Sequence, residues 1–138
     1  MSNISPVLNL GDVSVAAAGT QTTDWITGLD GMAALSIQAA LLYGSGGTKI
    51  QAYVQTSIDQ GVTPVDIACI TFTAAAGAKI VNLSGMTPKT TEVVPADGAL
   101  ADDTCVDGIL GDRLRLKVVS TGIYAGGTVL SVRAMPRG

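Results

Sequence analysis

Hydrophobic residues recur at every second position through much of this sequence, and that period constrains the fold more than any other feature. In residues 33–43 the odd positions are apolar or aromatic, and Ser36 and Gln38 lie between them. Residues 49–58 and 113–118 alternate in the same way. Successive side chains of a β-strand point to opposite faces, so this alternation predicts half-buried strands.

Glycine-rich links separate these runs. GSGGT joins Tyr43 to Lys49, and a second link, at residues 121–128, predicts that residues 114–135 form a terminal hairpin. Residues 32–43 contain helix formers, but their glycine flanks and odd-position pattern favour a strand. We expect an antiparallel β-sandwich of about eight strands. Besides the terminal hairpin, the predicted strands are residues 13–18, 24–27, 33–43, 49–58, 65–73, 78–83 and, least regular, 104–109.

The length of 138 residues fits one domain with a single core. Residues 1–12 predict an extended N-terminal arm ahead of a single β-sandwich domain at residues 13–138. Residues 86–103 contain two prolines, several acids and little periodicity, so they predict one long surface loop. A loop of this length in a small domain is usually functional or packs on a neighbour.

The charge content excludes several classes of partner. Charged residues make up 14% of the chain, and its net charge is −3, whereas soluble domains carry roughly 25% charged residues. A nucleic-acid partner would need a basic face, and a membrane helix needs roughly 20 consecutive apolar residues. We expect neither partner. The N-terminal residues lack signal-peptide features, so we expect synthesis in the cytoplasm.

The sequence lacks the residues and motifs that most often carry out catalysis. It contains no histidine, which removes the commonest general base and metal ligand. It also lacks a nucleophile elbow, a phosphate loop and a dinucleotide fingerprint. Cys69 and Cys105 are expected to be buried thiols, since a disulfide would require a fold that brings them within reach. We expect no enzyme and no cofactor.

The segment SIDQGVTP, residues 57–64, carries most of the Asp-box signature S-x-D-x-G-x-T. Pro64 stands where a tryptophan normally follows. In such a turn the Asp carboxylate accepts backbone hydrogen bonds, and Gly adopts a conformation that other residues resist. The segment therefore predicts a structural hairpin turn rather than a site of sugar chemistry. The residues that build it are Ser57, Asp59, Gly61 and Thr63.

Two charged clusters remain open to interpretation. The aspartates between residues 97 and 112 could be a glycosidase pair or a calcium site, but their spacing favours a solvated acidic loop. The basic stripe that follows is either a solvated sheet face or an ion-pairing surface for that loop, within the chain or across an interface. The two sets are Asp97, Asp102, Asp103, Asp107 and Asp112, and Arg113, Arg115 and Lys117.

Three segments, in the same order along the chain, resemble a group of small structural proteins of tailed bacteriophages and prophages. They are WITGLDGMAALSIQAALLYGSGGTKIQAYVQTSIDQGVTPVDIA, AKIVNLSG and ADDTCVDGILGDRLRLKVVSTGIYAGGTVLSVRA. The shared motifs are a YGSGGT…QTS.D.G segment and a closing GDR.R…TG.Y.GGT.L.V segment. The resemblance covers roughly residues 24 to 134, and these sequences tend to have Trp in place of Pro64.

The resemblance implies a virion component with a β-sandwich or jelly-roll fold, most like a capsid decoration (cement) protein. Its implied partners are the major capsid protein and copies of itself, as a homotrimer or similar oligomer. A tail, baseplate or fibre module is the alternative, followed by a carbohydrate-binding sandwich. We expect the arm, the long loop and the basic stripe to make the contacts. The candidate interface residues are Ile4, Pro6, Val7, Leu8, Met86, Pro88, Val93, Val94, Pro95, Arg113, Arg115 and Lys117.

Overall fold

The computed structural model describes residues 7–138, and this part of the chain contains eleven β-strands and no helix. Three of the strands have only two residues, and the prediction was about eight. The strands are β1 (Leu8–Ser14), β2 (Gly19–Thr22), β3 (Ala34–Leu42), β4 (Ser45–Gly46), β5 (Lys49–Thr56), β6 (Val65–Phe72), β7 (Gly77–Ser84), β8 (Thr104–Cys105), β9 (Leu114–Thr121), β10 (Tyr124–Ala125) and β11 (Val129–Arg137).

The strands form two large antiparallel sheets. The four-stranded sheet has the order β1-β11-β3-β7, and the five-stranded sheet has the order β2-β9-β5-β6-β8. The short strands β4 and β10 pair with each other. The prediction of an all-β protein built from antiparallel sheets is therefore confirmed.

The inner faces of the two large sheets share one hydrophobic core. Ile37 and Leu130 enter it from the four-stranded sheet, and Ile50 and Leu116 enter it from the five-stranded sheet. Each of these side chains is at most 1% exposed, and burying one aliphatic side chain contributes about 1.5–3 kcal/mol. The arrangement is β-sandwich-like, and the period of two in the sequence arises from these inward positions.

The predicted terminal hairpin is wrong. β9 pairs with β2 and β5, whereas β11 pairs with β1 and β3, so residues 122–128 cross from one sheet to the other. The GSGGT link likewise crosses between sheets, from β3 to β5. A glycine-rich link between two strands of alternating apolar and polar residues can form a hairpin within one sheet or a connection between two sheets. The sheet to which each strand belongs is decided by its distant partners.

Several predicted boundaries also differ. Residues 8–12 belong to β1 rather than to an arm, because a bulge between Asn9 and Gly11 turns Leu10 into the core. Residues 24–27 form only an isolated bridge, at Ile26, and residues 104–109 form strand only at β8. β2 was missed because GTQT contains no apolar residue. Ile4 and Pro6 lie outside the described residues.

The connections between strands gather at two ends of the molecule. At one end, the Tyr124 N–H donates to the Ala16 carbonyl (2.8 Å) and its hydroxyl donates to the Thr73 carbonyl (2.7 Å). The connections at this end contain no charged residue, and we call it the charge-free end. It consists of residues 15–18, 43–48, 73–76 and 122–128.

At the opposite end, the Leu29 N–H donates to the Asp112 carbonyl (2.9 Å), and the Gly111 N–H donates to the Thr56 hydroxyl (2.9 Å). We call this the acidic end, and it consists of residues 23–33, 57–64, 85–96 and 106–113. Between its last two segments the chain crosses the outer face of the five-stranded sheet. We call that segment, residues 97–105, the covering loop.

Candidate interaction surfaces

The Asp-box-like segment forms the turn between β5 and β6 at the acidic end. The Ser57 hydroxyl donates to Asp59 Oδ1 (2.7 Å) and accepts from the N–H of Gly61 (2.9 Å). The Thr63 N–H donates to the same carboxylate oxygen (2.8 Å). Every residue of the predicted turn therefore takes part in one local network.

The Asp59 carboxylate serves this network as an acceptor. Hydrogen bonds from the side chain and backbone of Thr63, and then from Ser57, lower its pKa to about 2. The group is therefore ionised at any physiological pH. A carboxylate that stays ionised and hydrogen-bonded in this way holds the turn rather than exchanging a proton with a substrate.

The turn packs against Trp25, which comes from the connection between β2 and β3. Gly61 has φ +88°, and a Cβ built there would lie 2.9 Å from the Trp25 Nε1 atom. The Arg115 guanidinium lies over the Trp25 ring, 4.4 Å from the ring centroid, within the range of a cation–π interaction. Trp25 therefore braces the turn, although Pro64 stands at the position where an Asp-box has its tryptophan.

Around this rigid turn, the acidic end exposes large aliphatic side chains. Ile58 is 76% exposed and Val62 is 80% exposed, although both belong to the hydrogen-bonded turn. Met86, Val93 and Val94, which are candidate interface residues, are exposed on the long connection of the same end. Ile58 and Val62 are thus presented on backbone that the hydrogen bonds of the turn already hold.

The same end carries most of the negative charge. Six of the eleven acidic residues lie in its segments, namely Asp24, Asp30, Asp59, Glu92, Asp107 and Asp112. Within the described part of the chain, no ion pair engages Asp24, Asp30, Asp59 or Glu92. The exposed apolar side chains are therefore accompanied by unneutralised carboxylates.

The covering loop is bound to the five-stranded sheet through Asp66 of β6. This carboxylate is 2% exposed and accepts hydrogen bonds from the N–H groups of Gly98 (2.8 Å), Ala99 (2.8 Å) and Leu100 (3.1 Å). Asp66 is thus the acceptor, within the protein, of three successive N–H groups of the loop. A buried aspartate in a strand that otherwise reads as apolar was not recognised from the sequence.

Gln55 extends this network across the sheet. Its amide donates to Asp66 (2.8 Å) and Asp97 (2.7 Å), and its carbonyl oxygen accepts from the Nε of Arg115 (2.8 Å). Lys117 also contacts Asp97 (3.1 Å). The hydrogen bond from Gln55, assisted by those two cations, lowers the pKa of Asp97.

The basic stripe is thus paired within the chain. Arg115 and Lys117 lie against Asp97, and Arg113 pairs with the neighbouring Asp112 (3.0 Å). Of the two ion-pairing arrangements that the sequence left open, the structure has the one within a single chain. Within the covering loop, Arg115 and Lys117 neutralise Asp97.

The remaining acids of the covering loop are dispersed. Asp102 pairs with Lys49, and Asp103 contacts Thr71 and Lys79. Hydrogen bonds from Lys49 and Gln51 lower the pKa of Asp102. No group of three His, Cys, Asp or Glu residues within positions 7–138 is arranged to hold a metal ion.

The covering loop also explains why all eight residues of β6 are buried. Under it, burial raises the pKa of Tyr53 to about 12 and that of Cys69 to about 11. Both cysteines are free thiols, and Cys69 is buried as expected, but the expectation is wrong for Cys105, which is exposed on the short edge strand β8. The register pairs Cys69 with Thr104 and Ala68 with Cys105, so the two thiols point to opposite faces and cannot bond.

The charge-free end is held by close packing of glycines. Gly47 has φ +76° and lies against the ring of Tyr124, which leaves no room for a Cβ. The Tyr124 ring also packs edge-on against Tyr43, with centroids 6.3 Å apart. The YGSGGT and GIYAGGT motifs are thus two crossings that pack together through β4 and β10.

Among residues 7–138, no loop covers the outer face of the four-stranded sheet as residues 97–105 cover the other sheet. It contains a groove of 340 Å³ that Val7, Gln38, Ile80 and Met135 help to line. The candidate residue Val7 is exposed there, whereas Leu8 is half-buried against the core.

No protein-family model and no curated protein matches this chain. Among residues 7–138 no helix is long and apolar enough to cross a membrane.

Proposed function

We propose that this chain is a non-enzymatic virion protein of a tailed phage, a decoration or cement protein that binds the head shell. Its partners are the major capsid protein and copies of itself, as a homotrimer, and its place is the capsid surface after synthesis in the host cytoplasm. The resemblance over residues 24 to 134 supports this proposal. Its motifs have structural roles here, in the β5–β6 turn and in the packed crossings of the charge-free end.

We also propose that the fold is a jelly roll. The pairs β5–β6, β3–β7, β2–β9 and β1–β11 are nested around the β5–β6 turn. This is the pairing expected when one long hairpin is rolled into two sheets. Jelly rolls are used by viral capsid and lectin domains, so the fold is compatible with a shell protein and does not by itself identify one.

The observation that carries the docking proposal is the rigid apolar surface of the acidic end. Ile58 and Val62 stay exposed on a turn whose backbone is already held by Ser57, Asp59 and Trp25. Binding through such a surface costs little ordering entropy. Burying each aliphatic side chain contributes about 1.5–3 kcal/mol, and a shell lattice repeats the contact many times.

The mechanism that follows is mass action. A protein that binds the assembled shell and not its free subunits stabilises the assembled state by RT ln(1 + c/Kd) at each site, where c is its free concentration. Specific interfaces bury about 1,200–2,000 Å² in total. A decoration protein needs no catalytic group to resist internal pressure, because its binding free energy is added to the cohesion of the shell.

Cryo-electron microscopy of particles of the encoding phage tests the proposal. We expect density for this chain at a fixed lattice position on the head. Density on the tail alone would contradict the head assignment and favour the tail or baseplate alternative. In a particle-binding assay, the double variant Ile58→Asp, Val62→Asp should lose binding by at least about tenfold. Ile80→Asp, an equally exposed isoleucine outside the acidic end, should bind like the native protein.

The carbohydrate-binding alternative has a separate test. Tyr53, Phe72 and Tyr124 are buried, and the Trp25 ring is engaged by Arg115, so these rings offer no open platform for a sugar. We expect no signal on a glycan array. A specific signal that disappears with Asp59→Ala would favour a glycan-binding function instead.

A further inference from the structure

We propose that the charge-free end is the surface through which copies of this chain meet. The inference deepens the proposed function, because a protein that binds the shell through its acidic end leaves the opposite end for its own copies. It also names a surface that the sequence did not single out, since the candidate interface residues lie elsewhere.

The distribution of charge is the first argument. The chain has a net charge of −3, so its copies repel each other wherever their acids approach. The acidic end carries Asp24, Asp30, Asp59 and Glu92 without ion-pair partners in the described chain. The charge-free end contains no acid and no base, and Lys79 and Asp103, which line a pocket beside residues 73–76, pair with each other (3.1 Å). Two copies can therefore bring this end together with little repulsion.

The exposed groups at this end fit a protein contact. Ile123 is 75% exposed at the crossing from β9 to β11. Beside this end Leu42, the last residue of β3, is 67% exposed on the outer face of the four-stranded sheet. The alanines at 16–18 and 74–76 are also exposed. Depletion of charged residues is the compositional mark of interface cores, and small side chains allow backbones to approach closely.

The surface is preorganised. The backbone and hydroxyl of Tyr124 bind Ala16 and Thr73, and the Gly44 N–H donates to the Thr128 hydroxyl (3.0 Å). All four crossings are therefore tied to one another before any partner arrives. Association then costs little conformational entropy, because these loops are already ordered.

The available area matches a modest self-contact. Two sheets about 10 Å apart, each four or five strands wide at about 4.8 Å, present an end of roughly 500 Å² with side chains included. Two copies would bury roughly 1,000 Å², the lower limit for a specific interface. We therefore expect a reversible oligomer whose mass depends on concentration.

Light scattering after size exclusion, from about 1 µM to about 1 mM, tests the inference. The native chain should give a multiple of 13.9 kDa at the upper concentrations. Ile123→Asp and, separately, Leu42→Asp should shift the midpoint of association at least about tenfold upward. Both residues are exposed, so circular dichroism should remain native. Ile80→Asp should leave the mass unchanged.

The outcomes separate this inference from the proposed function. A native chain that is monomeric throughout the range, or an oligomer broken by Ile80→Asp and not by Ile123→Asp, would overturn the inference. Association that weakens sharply at high salt would also overturn it, because a charge-free contact contains no ion pair for salt to screen. An Ile123→Asp monomer that still binds phage particles would support both proposals. An oligomer that binds no particle would leave the inference standing and remove the shell function.

Discussion

The two ends of the molecule are rigid for different physical reasons. At the charge-free end, glycines bring backbone against aromatic rings and other backbone, as where Gly47 meets Tyr124. At the acidic end, side chains hold the backbone through hydrogen bonds, as Asp59 and Ser57 hold the β5–β6 turn. Packing of the first kind does not depend on pH, whereas the polar network depends on the ionised carboxylate of Asp59.

The largest expected effect comes from adding one methyl group at the charge-free end. Gly47→Ala should destabilise the fold by about 4 kcal/mol, since a Cβ has no room beside the Tyr124 ring and φ is +76°. Gly127→Ala is the matched control, because Gly127 has the same φ and no atom within 4 Å of a built Cβ. It should cost about 1 kcal/mol. Equal melting temperatures for the two variants would contradict the packing explanation.

The next effect concerns the polar network that holds the covering loop. Asp66→Ala leaves the N–H groups of the loop without an acceptor, so we expect a loss of about 3 kcal/mol and a partly detached loop. Cys69 lies under this loop and reports on it. In a Cys105→Ser background, Cys69 should react with a thiol reagent at least about tenfold faster after the change. An unchanged labelling rate would show that other contacts hold the loop.

The smallest effect is a loss of stability at low pH. The folded pKa of Asp59 is about 2, below its ordinary value of 3.8, and that of Asp97 is lowered as well. Their contribution to stability is therefore fully present above pH 4 and is lost as pH falls toward 2. The melting temperature should fall across that window, and Asp59→Asn should reduce the fall. A melting temperature that stays constant from pH 4 to 2 would contradict this assignment.

Local chemistry was predictable wherever neighbouring residues determine the result. The turn at Ser57, Asp59, Gly61 and Thr63 needs only one short segment, and its bonds are those that the pattern predicts. The pairing of β5 with β6 follows from the same turn. The roles of Asp66 and Trp25 were not predictable, since their partners lie at residues 98–100 and at Gly61.

The sequence by itself determined that this protein is built from antiparallel strands with one buried face, because alternation of apolar side chains depends only on the geometry of an extended backbone. It also determined the net charge and the absence of charge from four connections. Only the tertiary structure decided which strands share a sheet, as β9 and β11 show. Only the tertiary structure brought the four uncharged connections together at one end of the molecule, because the packing of the whole core selects hydrogen-bond partners that are far apart in sequence.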